Sequence, residues 1–195
     1  TIMISHSSAT AVGAIGNANQ IMGFLRLAFS IITSATGVIV AQYIGAKQTE
    51  KMKQIYTVSV LFNLVLSVAV CFIITTFSKP LLTAIQIPSI MMEDANAYMK
   101  IVGFFLFTDA IVMIFSQVFN CHGKTSVGMF IFFGMNVVYI IGNYNFVYSP
   151  LSHLNLGVKG VAISTTLSST LGMIISYILF RKIIKGKLSF KLLNP

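Results

Sequence analysis

Residues 55–77 read IYTVSVLFNLVLSVAVCFIITTF, twenty-three consecutive positions without a charged side chain. An α-helix rises 1.5 Å per residue, so about 20 such residues cross the hydrocarbon core of a bilayer. A membrane strand needs only about 10 residues, with strict in–out alternation. No such alternation appears here. Inside lipid only helices and closed barrels satisfy their own backbone polar groups, so this run reads as a membrane helix. Four further apolar runs of similar length flank it, at about 11–44, 98–119, 127–148 and 160–180. The expected fold class is an all-α membrane protein, a polytopic helical bundle.

Composition agrees. Of the 195 residues, 56% are hydrophobic and only 9% charged, with mean hydropathy +0.87. A soluble domain carries about 25% charged residues, so this chain has too little charge to coat a globular surface. The net charge of +9 raises the question of nucleic acid. The basic residues, however, sit just beyond apolar runs and do not interleave with aromatics, so no nucleic-acid partner is expected. Cys71 lies in mid-run and Cys121 at the end of a run, without CxxC or Cys/His spacing. Neither a disulfide nor a metal site is expected. No nucleophile, base and orienting group stand in a triad-like pattern, which argues against an enzyme. The chain opens at TIMISH, without Met or a basic signal segment, and reads as a fragment that continues from an earlier segment.

The connections alternate in charge. Lys47, Lys51, Lys53, Lys124, Arg181, Lys182, Lys185, Lys187 and Lys191 fall on one side, and only Lys79 and Lys159 in the opposite connections, with Arg26 and Lys100 at or inside span ends on that sparse side. The positive-inside rule puts the lysine-rich side in the cytoplasm. KPLLTAIQIPSIMMEDANAY, residues 79–98, is then an outer loop whose two prolines, Pro80 and Pro88, break any helix longer than a short interfacial piece.

Polar residues within the spans fall on faces. Thr33, Gly37, Ala41 and Gly45 form a stripe of small residues at steps of four, the spacing at which another backbone can approach closely. Ser59, Asn63 and Ser67 share one face of the second span, and Ser164, Ser168, Gly172 and Ser176 one face of the fifth; both sets are expected to bond across helices. In the fourth span Asn136, Tyr139 and Asn143 share a face, with Asn145 nearby. Amides in hydrocarbon need partners or a cavity, so this face is either hydrogen-bonded or cavity-lining. The ten methionines and sixteen phenylalanines give adaptable apolar surface, for lipid or for a pocket.

Asp109, within FFLFTDAIVMIF at residues 104–115, is the one charge in its run. It lies about 12 residues, or roughly 18 Å, from the outer end of the span, near the midplane. An ionisable residue at that depth costs about 2.5–3.5 kcal/mol on insertion scales, and such residues face the bundle interior and mark a pathway or a pair. Arg26 is the candidate partner, displaced in depth by roughly 9 Å on a straight-helix estimate. Two readings stay open: a structural carboxylate, paired with Arg26 or protonated, or one that alternates between a proton and a cationic substrate.

The ordered set of segments resembles the multidrug and toxic compound extrusion (MATE) transporters. ATAVGAIGNANQIMGF with AQYIGAK, through Ala18, Asn19, Gln20, Gln42, Gly45 and Ala46, resembles the second helix and first cytoplasmic loop of that family. NCHGKTSVGM fits through Gly123 and Thr125, with Asn120 and Cys121 standing where the family often has arginine and glycine. MNVVYIIGNY, through Asn136, Asn143 and Tyr144, resembles its fifth helix, and LGVKGVAISTTLS, through Gly157, Gly160, Ala162 and Thr165, the entry to its sixth. The resemblance implies that residues 1–195 are a partial N-terminal lobe, helices 2–6 of a six-helix MATE-type lobe, in a two-lobe transporter with a central cavity. It implies a multi-pass plasma-membrane protein that exports organic, often cationic, compounds by proton or sodium antiport, with no cofactor beyond H+ or Na+. The expected partners are a small-molecule substrate, membrane lipid and the C-terminal lobe of the same protein. Some relatives couple through an aspartate in helix one and others through acidic residues in the C-terminal lobe, segments outside this stretch. The expected substrate and cation pathway runs through Asp109, Arg26, Asn136, Tyr139 and Asn143. Two alternatives are a lipid-linked oligosaccharide flippase of the wider superfamily, which needs more intramembrane cations than Arg26 alone, and a small membrane interaction module.

Overall fold

A computed structural model describes residues 9–148 and 157–184. Six helices follow one another: α1 (Ala9–Gly45), α2 (Thr49–Ala84), α3 (Ser89–Phe104), α4 (Leu106–Cys121), α5 (Thr125–Tyr148) and α6 (Gly157–Leu179), the last passing into a π-helical turn, Phe180–Ile184. Four helices are long and apolar enough to cross a membrane, and α3 with α4 make a fifth such unit, bent by 49°. Lys185, Lys187 and Lys191 lie outside the described residues.

Two expectations need correction. The segment read as an outer loop broken at both prolines is largely helical. α2 continues through Pro80 to Ala84. A proline inside a helix removes one hydrogen bond and crowds the preceding turn, and here the strain is taken up three residues earlier, where Phe77 leaves helical geometry (φ −109°, ψ 20°). Pro88 then caps the start of α3, a place where its missing N–H costs nothing. The third span, read as one helix, is instead broken at Phe105 (φ −95°, ψ 9°). The Thr108 hydroxyl donates to the Phe105 carbonyl at 2.8 Å, alongside the Thr108 N–H at 3.0 Å. Such side-chain bonds compete with the regular helical ladder.

Close packing follows small residues, as lipid-embedded helices require. A Cβ on Gly103 would lie 2.5 Å from Ile74 Cγ2, one on Gly128 2.6 Å from Ser116 Oγ, and one on Gly142 2.8 Å from Ser164 Oγ. These contacts join α2 to α3, α4 to α5 and α5 to α6. The Thr33–Gly45 stripe divides. Thr33 is buried, and Gly37 touches the Gln117 side chain while its carbonyl accepts from Cys121 Sγ at 3.3 Å. Ala41 is exposed, and Gly45 has open space around it.

The serine faces also divide. Ser59 accepts from Thr36 Oγ1 on α1 at 2.9 Å, and Ser168 donates to the Met135 carbonyl on α5 at 2.5 Å. Asn63, Ser67, Ser164 and Ser176 bond carbonyls three or four residues back on their own helices, where short polar side chains reach without a neighbour. The expectation of bonding across helices thus holds for part of each face only.

The buried apolar residues form two clusters. One joins α1, α2, α3, the start of α4 and the start of α6, around Met22, Phe29, Leu82, Tyr98 and Leu106. The other lies at the lysine-rich end, around Val40, Tyr56, Ile114, Phe119 and Phe180. There Tyr56 packs edge-on against Phe180, and its hydroxyl is 3.2 Å from His122 Nε2. The exterior is apolar too: Phe62, Val65 and Phe72 on α2, and Phe130, Phe133 and Ile141 on α5, stand exposed. That is the surface a bilayer solvates.

Candidate functional site

Asp109 lies where the two clusters meet, flanked on α4 by Leu106 and Ala110 of the first and followed by Val112 of the second. Three helices converge on its carboxylate. Arg26, from α1, places Nε 3.0 Å and Nη2 2.8 Å from Oδ2. Ser169, from α6, donates to Oδ1 at 2.5 Å. Both carboxylate oxygens are therefore engaged by donors from other helices. The straight-helix estimate had left Arg26 and Asp109 apart in depth. In the structure they touch, and α4 turns 49° away from α3 at the break four residues before Asp109.

The pair lines a cavity of about 260 Å³ with Val112 and Met113 of α4, Phe132, Met135, Asn136 and Tyr139 of α5, and Thr165, Ser168 and Ser169 of α6. Of the five residues expected along a pathway, Arg26, Asp109, Asn136 and Tyr139 share this wall. Asn143 does not. It is 5% exposed, and its Oδ1 has no partner among the described residues. It stands one helical turn past Tyr139, next to Gly142, which meets Ser164 of α6.

Asn136 is itself exposed, with Nδ2 donating to the Phe132 carbonyl at 2.8 Å. Ser169 was missed in the sequence because it stands one step off the Ser164–Ser168 face; the only signal was the adjacent serine pair. Met113, Phe132 and Met135 belong to the methionines and phenylalanines left open between lipid and pocket, and nothing in their spacing separates the two.

The other marked positions hold the frame. Asn19 Oδ1 accepts from Tyr98 Oη at 3.1 Å, tying α1 to α3. Gln20 and Gln42 are exposed, and Gly45 closes α1. Gly123 has φ +70° in the turn before Thr125 starts α5, and Gly157 has φ +42° at the start of α6. Both occupy the left-handed region that glycine tolerates. Gly160 is buried, and its carbonyl accepts from Ser164 Oγ at 3.0 Å.

The MatE family profile matches residues 1–145, most of the chain. The chain belongs to the MatE family. It is a multi-pass integral membrane protein. This MatE chain is 32% identical over 191 residues to the "Uncharacterized transporter YisQ" of Bacillus subtilis, covering 98% of the chain and 42% of that protein. It is 22% identical over 184 residues to the "Probable multidrug resistance protein NorM" of Thermotoga maritima, covering 93% of the chain and 39% of that protein. The chain therefore spans about two fifths of the curated relatives it matches.

The fold is that of solved MATE transporters. A MATE crystal structure in the bent conformation superposes with TM-score 0.88 at 17% identity, over 100% of this chain and 43% of the other. An outward-facing MATE family multidrug transporter superposes with TM-score 0.86 at 18% identity, again over 100% and 43%. An inward-facing one does so with TM-score 0.85 at 19% identity, over 97% and 43%.

Proposed function

We propose that this MatE chain forms most of the N-terminal lobe of a two-lobe plasma-membrane exporter. That exporter moves organic, often cationic, compounds outward against inward flow of H+ or Na+. Family membership, the multidrug-resistance name of one relative and the coverage of two fifths of the matched transporters support the reading. The observation that carries it is the Arg26–Asp109–Ser169 centre in the wall of a cavity within the membrane span.

The chemistry follows from the contacts. With Asp109 ionised, its carboxylate holds α1 and α6 to α4 through Arg26 and Ser169. A proton on Asp109 removes the charge that holds the guanidinium, and α1 is released from that hold. A cationic group of the substrate competes for the same carboxylate, so proton and substrate exclude one another, which is the requirement for antiport. Sodium in place of the proton would meet the same two oxygens.

The test is Asp109→Asn in the full gene product. Its amide keeps the shape of the carboxylate but carries no charge and takes up no proton at neutral pH. Membrane insertion should persist, while substrate-induced proton or sodium movement in proteoliposomes is abolished. Coupled efflux at the wild-type rate would reduce Asp109 to a structural residue.

A further inference from the structure

The lysine-rich end of the bundle carries more positive charge than the chain itself answers. The chain has four carboxylates, Glu50, Glu93, Asp94 and Asp109. Asp109 is taken by Arg26, and Glu93 and Asp94 lie near the start of α3, at the opposite end. Glu50 alone shares its end with Lys47, Lys51, Lys53, Lys124, Arg181 and Lys182.

Two of these cations are held in place. Lys124, in the turn between α4 and α5, donates from Nζ to the Ile183 carbonyl at 3.3 Å. Arg181, in the π-helical turn after α6, donates from Nη1 to the Tyr177 hydroxyl at 3.3 Å. The Tyr177 ring rests against Phe115 of α4, with centroids 6.0 Å apart. Lys182 stands exposed beside Arg181. The positive-inside rule and the α6 dipole account for basic residues at a helix end. Neither draws the side chain of residue 124 onto the turn that carries residues 181 and 182. An ammonium has three donors and a guanidinium five, so one bond apiece leaves several free to meet an anion.

Below these cations α6 turns an apolar strip outward. Leu167, Leu171, Ile174 and Ile178 are exposed. Their spacing of four, three and four puts them on one helical face, and residues 181 and 182 continue it. From 167 to 178 the strip runs about 16 Å at 1.5 Å per residue, close to the roughly 15 Å of hydrocarbon in one leaflet.

We infer that Lys124, Arg181 and Lys182 form a binding site for an anionic phospholipid. Its phosphate lies among the three cations and an acyl chain lies along Leu167, Leu171, Ile174 and Ile178. The site is separate from the Asp109 cavity and does not depend on what that cavity transports. Phosphate suits the donors, because charge-assisted bonds to phosphate are the strong ones and a guanidinium fork matches its geometry. Phosphatidylcholine answers less well, since its own ammonium already balances its phosphate. A soluble phosphate has the charge but nothing to lay on the apolar strip.

The test uses the full gene product purified in detergent, with bound lipid counted by native mass spectrometry. Wild type should retain phosphatidylglycerol over phosphatidylcholine by about tenfold or more. Each cation beside an anionic lipid surface is worth about fivefold in affinity. Lys124→Gln should therefore lower the preference about fivefold, and Lys124→Gln/Arg181→Gln/Lys182→Gln should abolish it. These exposed side chains tolerate replacement, and the thermal midpoint without added lipid confirms that each variant is folded. Lys100→Gln removes one positive charge at the other end of the bundle and should leave the preference intact. Glycerol 3-phosphate, the head without the chains, should fail to displace phosphatidylglycerol at matched concentration.

Equal retention of the two lipids by wild type overturns the inference. So does a preference that survives the triple substitution, or one that Lys100→Gln lowers as far as Lys124→Gln does, since net charge alone would then explain it. Displacement by glycerol 3-phosphate overturns it too, because the cations would then hold phosphate without regard to lipid.

Discussion

Ser169 shows how much can hang on one hydroxyl. Its bond to Asp109 Oδ1 is the only link from α6 to the ion pair among the described residues. Hydrogen bonds to charged groups are worth about 1.5–3 kcal/mol. Ser169→Ala should destabilise the full gene product by about 1.5 kcal/mol or more, seen as a lowered thermal midpoint in detergent. Ser168→Ala, one position away, removes a bond to a backbone carbonyl and should cost about 1 kcal/mol. Gly103 is a steric case. A Cβ there would lie 2.5 Å from Cγ2 of Ile74, a fully buried residue whose β-branched side chain has few rotamers to escape into. Gly103→Ala should therefore cost about 1–3 kcal/mol, as overpacking does. Adding Ile74→Ala should recover part of that loss, since the clashing methyl is gone. Simple additivity of the two substitutions in thermal unfolding would refute the contact.

At the scale of elements, the break at Phe105 positions the site. Residues 98–119 read in sequence as one span, and neither proline nor glycine stands at the break itself. The turn is made by Thr108, whose hydroxyl and N–H both take the Phe105 carbonyl. Thr108→Val keeps the shape and removes the hydroxyl. The expected outcome is a straighter α3–α4 unit and a weaker Arg26–Asp109 pair. A double-mutant cycle of Arg26→Gln and Asp109→Asn on thermal stability checks this: the coupling energy should shrink when Thr108→Val is added. An unchanged coupling would assign the bend to packing alone. The kink in α2 belongs to the same scale. There Pro80 was visible in the sequence, and what was not visible is that the helix would survive it, held by buried Leu82 and by Ser78, which bonds Asn96 of α3 at 2.6 Å.

For the whole molecule the predictions concern orientation and completeness. Lys51, Lys124 and Arg181 stand at one end of the bundle, which the Tyr56–His122 and Tyr56–Phe180 contacts and the bond from Lys124 Nζ to the Ile183 carbonyl draw together. The positive-inside rule makes that end cytoplasmic. In intact cells, on a background lacking Cys71 and Cys121, an impermeant thiol reagent should label a cysteine at 90, where Ile90 is exposed, and spare one at 51; the reverse pattern would invert the topology. Completeness follows from the lobe reading. A central cavity between two lobes cannot form in one, so residues 1–195 expressed alone should confer no resistance to cationic dyes, while the full gene product should. Resistance from the fragment alone would overturn the lobe reading unless two copies pair to supply both halves.

The membrane bundle was legible because it depends on a one-dimensional property. A run such as 55–77 is long and apolar enough to span a bilayer whatever it packs against, and the family followed from short motifs in order. That Asp109 needs partners was legible for the same reason, since a lone carboxylate in an apolar run is costly wherever the run ends up. The geometry of its site was not. Whether Asp109 meets Arg26, whether Ser169 or Ser168 reaches it, and whether Asn143 joins Asn136 and Tyr139 all depend on how helices bend and cross. Those angles come from contacts between residues far apart in the chain, Gly103 against Ile74 and Gly142 against Ser164, together with the local turn of Thr108 back on Phe105. Hydrophobic length set which segments enter the membrane. Only the packing of bent helices decided which polar groups meet inside it.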